Sequence, residues 1–293
     1  MTQITSDYTL AYLSPAAARL GGIFARPRAI AILCIIALTG LGWIYLGLLV
    51  GANIVTRGDF LSLFGALCRP ANNAAFLMPS GSWPVTDLAL IFIMWSAMTL
   101  AMMLPGAGPM ILTYAEIADT AARKREQIVS PFLLAGGYAA IWLGFALVAC
   151  LLQVGLTRAA LIEDGMSAAS GLLAGVLFVG AGLYQFSAFK QACLRLCQRP
   201  FPFLFVNWTT KAAGVFRLGL RQGLHCLGCC WAMMLLMFAL GVMNVVWMAA
   251  LAILMTGEKL FATPRLSRLL GAAFITVGLA FILGAAARAA FLG

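Results

Sequence analysis

The sequence predicts an all-α fold: a polytopic transmembrane helical bundle of about seven spans, N-terminus in the cytoplasm and C-terminus outside. Three observations predict it. Hydrophobic residues make up 63% of the chain and charged ones only 10%, where a soluble domain carries roughly 45–50% and about 25%. Apolar runs near the bilayer-spanning length of about 20 residues recur along the chain. The basic residues between those runs fall alternately on a rich side and a poor side.

The runs lie at 29–51, 85–104, 131–153, 168–189, 223–240, 243–261 and 269–290. The first is longer than the apolar core of a secretory signal and lacks a small-x-small exit, so it reads as a span rather than a cleaved leader. The second is expected to end near Pro105, where "PGAGP" interrupts regular pairing. The fifth and sixth are parted only by "GVMN" and should form a tight helical hairpin. One set of loops holds fifteen Lys and Arg residues, from Arg19 to Arg268. The other holds only Arg57, Arg69, Arg158 and Arg288. The positive-inside rule therefore places the rich loops, and the N-terminus, in the cytoplasm. The net charge of +10 is explained by the same rule, and without a basic-aromatic module it does not indicate nucleic acid.

The domain reading is a cytoplasmic segment at 1–28 followed by one transmembrane domain at 29–293. Two loops within it stand out. Residues 52–84 form a long extracytoplasmic loop with Asn72, Asn73, Pro79, Gly81 and Pro84. Residues 190–222 form a basic cytoplasmic loop interleaved with Phe201, Phe203, Phe205, Trp208 and Phe216. It is expected to lie along the lipid headgroups, in part helical.

"HCLGCCWAMMLLM" at 225–237 concentrates the only histidine, three of the eight cysteines and three of the fourteen methionines. At helical spacing Cys226, Cys229, Cys230, Met233 and Met237 share one face. "FKQACLRLC" places Cys193 and Cys197 one turn apart at the end of the fourth run. Met98 and Met102, with Met103 beside them, form a methionine face on the second. The topology brings these groups toward one cytoplasmic layer, where reducing conditions keep thiols free. Thiolate and thioether are soft donors that select Cu(I), while thiolates with imidazole also suit zinc. The methionines favour copper, with zinc as the alternative. The candidate metal ligands are Cys193, Cys197, His225, Cys226, Cys229, Cys230, Met98, Met102, Met103, Met233 and Met237. Each group also has a plainer reading, since methionine and free cysteine are common fillers of apolar helix faces. Glu258 and Lys259 end the sixth run and read as a snorkelled interface pair; a Glu258 turned inward would be a proton or ion site.

"WSAMTLAMMLPGAGPM", "GLYQFSAFKQACLRLCQRP" and "GLHCLGCCWAMMLLMFALGVMNVVWMAALAILMTGEKL" resemble a bacterial family of predicted metal-binding integral membrane proteins. The resemblance spans roughly 85–265, and "CLGCCW" with its downstream "GEK" is its most specific part. It implies membrane residence and a bound metal. It touches Met98, Met102, Met103, Pro105, Pro109, Lys190, Cys193, Cys197 and Cys226. Further along it touches Cys229, Cys230, Trp231, Met234, Met243, Trp247, Met248, Glu258 and Lys259.

The function classes left open are copper handling (translocation or delivery), a subunit of a membrane copper oxidase or monooxygenase, an accessory subunit, and a thiol-quinone oxidoreductase. Whether the chain is an enzyme stays open. An oxidase would need more imidazoles than one, and the redox reading lacks a second cysteine pair outside, where Cys68 stands alone. No P-loop is present for an ATP-driven pump. The expected partners are membrane lipids, other membrane subunits and a protein that donates or accepts the metal. The expected residence is the bacterial cytoplasmic membrane.

Overall fold

In the computed structural model the described residues are 32–33, 35–37, 39–45, 47, 85–123, 129–159, 171–242, 244–261 and 263–292. Among these residues, beyond a short apolar helix, Ile35–Tyr45, nine helices follow: α1 Val85–Arg123, α2 Pro131–Arg158, α3 Gly171–Gln185, α4 Ala188–Gln198, α5 Pro200–Val206, α6 Ala212–Leu235, α7 Met237–Leu240, α8 Val245–Leu260 and α9 Pro264–Leu292. No strand occurs among the described residues. The N-terminal segment, most of the run at 29–51 and the loop at 52–84 lie outside them.

An all-helical answer follows from the composition, because a chain facing hydrocarbon must pair its backbone groups within each segment. Among the described residues four helices are long and apolar enough to cross a membrane: Val85–Ala118, Pro131–Arg158, Ala212–Leu240 and Pro264–Ala290. The pair α3 and α4, bent by 66° at its break, makes a fifth if counted as one span. α8 is apolar but has only 16 residues. Large apolar side chains stand outward on these helices, among them Leu147, Val148, Leu151, Val176, Leu183, Ile253 and Leu283. In water such a surface would be a liability; against lipid it is the required one.

Contacts fix the relative directions of the longer helices. Leu88 meets Cys150 and Met103 meets Tyr138, so α1 and α2 are antiparallel. α2 and α6 run parallel, with Leu134 beside Gly219 and Ile141 beside Gly223. The α3–α4 segment runs antiparallel to α6, Tyr184 meeting Gly228 and Leu196 meeting Gln222. α3 and α9 are antiparallel, with Gly175 against Gly278 and Gly182 against Gly271. Two of these crossings depend on glycine. A Cβ on Gly219 would strike the Leu134 carbonyl, and one on Gly175 would stand 2.8 Å from the Gly278 carbonyl oxygen. Small residues that let backbones meet are the usual means of helix association in lipid.

Two sequence expectations are corrected. α1 does not end at Pro105; it continues through Pro105 and Pro109 to Arg123. Proline costs a helix one backbone bond, but with neighbouring helices packed around it, the lipid-embedded backbone has no better alternative than staying helical. Residues 190–222 are not chiefly a loop, since α4, α5 and the first half of α6 occupy most of them. α4 starts where the Ser187 hydroxyl accepts from the Lys190 N–H at 3.1 Å. It buries Lys190, Cys193 and Leu194. α5 exposes Phe201, Phe205 and Val206, the kind of surface expected to face lipid.

Candidate metal centre

Three thiols meet where α4 crosses α6. Cys226 and Cys229, one turn apart on α6, face Cys197 near the end of α4, and the three sulfurs lie within 4.8 Å of one another. Cys229 Sγ is 4.0 Å from Cys197 Sγ. A metal–thiolate bond of about 2.3 Å in a trigonal plane separates its sulfurs by about 4 Å, so the trio suits a single ion with little rearrangement. Cys226 and Cys229 are buried and Cys197 partly so. The donors are all sulfur, the chemistry that selects a soft cation.

The surroundings are polar in one direction only. The Tyr138 hydroxyl donates to the Met103 carbonyl at 3.1 Å and lies 3.0 Å from Cys226 Sγ. With its one proton on Met103, the phenol oxygen is free to accept from a Cys226 thiol. Turned the other way, the same proton would serve a deprotonated sulfur. Lys259 Nζ lies 3.1 Å from Cys226 Sγ and 3.7 Å from Met103 Sδ. The lysine reaches in past Gly106, where a Cβ would stand 2.7 Å from Nζ. A small cavity beside the trio is lined by Gly106, Met110, Tyr138, Cys197, Cys226 and Lys259, among others.

A family described as PpoB2, a copper chaperone, matches residues 92–281, well over half of the chain. The chain belongs to this copper chaperone family. No curated protein and no solved structure matches it. All three thiols of the centre, with Tyr138, Lys259 and Met103, fall inside the matched region. Copper handling is thus the general role, and the cysteine cluster is a place where a metal could be held.

The other sequence candidates of this PpoB2-family chain take varied positions. Cys230 Sγ is 3.3 Å from Cys229 Sγ, at the edge of the trio. Cys193 is buried against Gly228, where a Cβ would stand 2.7 Å from its sulfur. His225 lies outside the trio, edge-on to Phe203 at 5.6 Å, with its Nδ1 buried and unpartnered. Met98, Met102, Met103, Met233 and Met237 are all buried in the bundle. Of these, Met103 is tied to the thiols through Lys259.

Glu258 and Lys259 do not snorkel; both are buried, and their side chains part company. Both Glu258 oxygens accept from Lys190 Nζ, at 2.7 and 2.8 Å, and Oε1 also accepts from Ser267 at 2.7 Å. Lys190 donates further to Gln185, and Gln198 donates to the Glu258 backbone carbonyl at 2.8 Å. This ion pair ties α8 to α4, the helix that carries Cys197. Lys259 and Tyr138 are the residues that sequence reasoning did not place at the centre, and Lys190 is the one it did not pair with Glu258. The available signal was a Glu-Lys dipeptide closing an apolar run, where charge is expensive unless paired.

Proposed function

We propose that this chain is a seven-span protein of the bacterial cytoplasmic membrane that receives Cu(I) on Cys197, Cys226 and Cys229 and hands it to a partner. The observation that carries the reading is the thiol trio, closed by two helices, with the Cys230 sulfur beside it. Copper is cargo here, so affinity must be high enough to keep the ion from the reducing cytosol and yet allow release. A trio split between α6 and the short, bent-off α4 meets that need: a small movement of α4 withdraws one ligand. The buried methionines of α1 and α6 offer weaker thioether sites for an ion leaving the thiolates. The oxidase reading is less well supported, because the one imidazole lies against Phe203 and not beside the sulfurs.

Orientation follows from charge. Lys190 and Lys259 are buried and no longer count as loop charges, but the remaining rich-side residues still far outnumber Arg57, Arg69, Arg158 and Arg288. The alternating directions of α1, α2, α3–α4, α6, α8 and α9 agree with this, and a run at 29–51 would complete seven spans.

Two measurements test the proposal. Protein purified under reducing conditions and titrated with Cu(I) against a chromophoric chelator should retain one ion per chain, with only sulfur neighbours in its X-ray absorption spectrum. Nitrogen or oxygen neighbours, or no retained copper, would count against it. A reporter enzyme active only outside the cytoplasm, fused after Gly293, should be active; silence there combined with activity of an N-terminal fusion would invert the topology.

A further inference from the structure

A site of three thiols leaves open how copper is told from zinc, since both accept such ligands. We infer that Lys259 is the residue that sets the choice, acting as a fixed positive charge against the ligand sulfur that favours a monovalent over a divalent ion. This rests on the trio being the copper site.

The geometry is specific. The ammonium of Lys259 is 3.1 Å from Cys226 Sγ and 3.7 Å from Met103 Sδ, and both partners are sulfur. The adjacent carboxylate does not neutralise it, because both Glu258 oxygens are held by Lys190. The side chain is buried, so little water screens it. It also has a prepared path, since Gly106 offers no side chain where the ammonium passes.

Coulomb's law then gives the sign. At a given position, a unit positive charge repels a doubly charged ion twice as strongly as a singly charged one. If removing the charge raises Cu(I) affinity by some factor, it should raise Zn(II) affinity by about the square of that factor. The influence of Lys259 on the charge of Cys226 itself enters both affinities alike and drops out of their ratio. The ratio is therefore the readout that a merely structural lysine would not move.

The experiment compares full-length wild type with Lys259→Gln, Lys259→Leu and Lys259→Arg in detergent. Cu(I) and Zn(II) affinities are measured by chelator competition on preparations that elute like wild type. In the neutral variants the zinc-to-copper affinity ratio should rise about tenfold or more, while Arg, which keeps the charge, should leave it near the wild-type value. Using two neutral variants ensures that misfolding of one does not decide the matter. A ratio unchanged in both, with Cu(I) still bound by wild type, overturns the valence role and leaves the copper site standing. Failure of wild type to bind Cu(I) at all removes the site and this role with it.

Discussion

Serine at position 226 is expected to lower Cu(I) affinity by more than about 100-fold, whereas serine at position 193 should change it by less than about tenfold. Changing a residue that merely orients a metal ligand costs about 10–100-fold, and losing a ligand should cost more. Serine keeps the shape of cysteine but offers a hard oxygen, which a soft ion binds poorly. Cys226 belongs to the trio and is also the sulfur that Tyr138 and Lys259 approach. Cys193 lies on the same helix as Cys197 but packs against Gly228. Serine at 197 or 229 should resemble serine at 226. Chelator competition on the single variants checks the ranking. A loss at 193 as large as at 226 would move the metal to the Gly228 side of α6 and dissolve the trio.

That contrast marks how far the centre was legible in the sequence. Helical spacing put Cys193 and Cys197 on one face and Cys226, Cys229 and Cys230 on another, and the structure does bring α4 against α6. Spacing cannot say which of two cysteines a turn apart meets the sulfurs of the other helix, because that depends on where the helices cross. α4 leaves α3 at 66°, and the crossing puts Cys197, not Cys193, among the partner sulfurs. The charged residues were harder. Lys190 counted as one more loop cation and Lys259 as an interface anchor, both fair readings from local sequence. Each is buried because a partner from a distant segment waits for it: Glu258 for the first, 68 residues away, and Cys226 for the second.

The proline-rich end of the second run shows a related limit. "PGAGP" is a strong stop signal in water, where a freed carbonyl finds solvent. In the bundle, α1 carries Gly106 and Met110 past Pro105 on a continuing helix. That continuation places the gap at Gly106 that admits the lysine and sets Met110 along the small cavity beside the thiols. What reads as a terminator thus builds one wall of the metal centre.

Glu258→Gln alone should destabilise the protein by about 3–5 kcal/mol, and adding Lys190→Met should recover more than half of that loss. Breaking a buried ion pair from one side leaves a charge with no compensation, and typical costs are about 3–5 kcal/mol. Here the stranded group would be the Lys190 ammonium, which is fully buried. It would keep Gln185 and the one amide oxygen as acceptors but lose the negative charge and the second oxygen that face it. Replacing the lysine with methionine, unbranched and of similar length, removes the stranded charge. What is then lost is the pair's net contribution, which is often small because burial of two ions is itself costly. Unfolding in mixed micelles with increasing denaturing detergent, followed by tryptophan fluorescence, would give the three values. Equal losses in the single and double variants would mean that the pair contributes packing and not charge compensation. The pair also sets the position of α4, with Gln198 donating to the backbone of Glu258 as a second tie. The double variant, restored in stability, should therefore hold Cu(I) less tightly than wild type, since Cys197 would depend on a helix that has lost its firmest anchor.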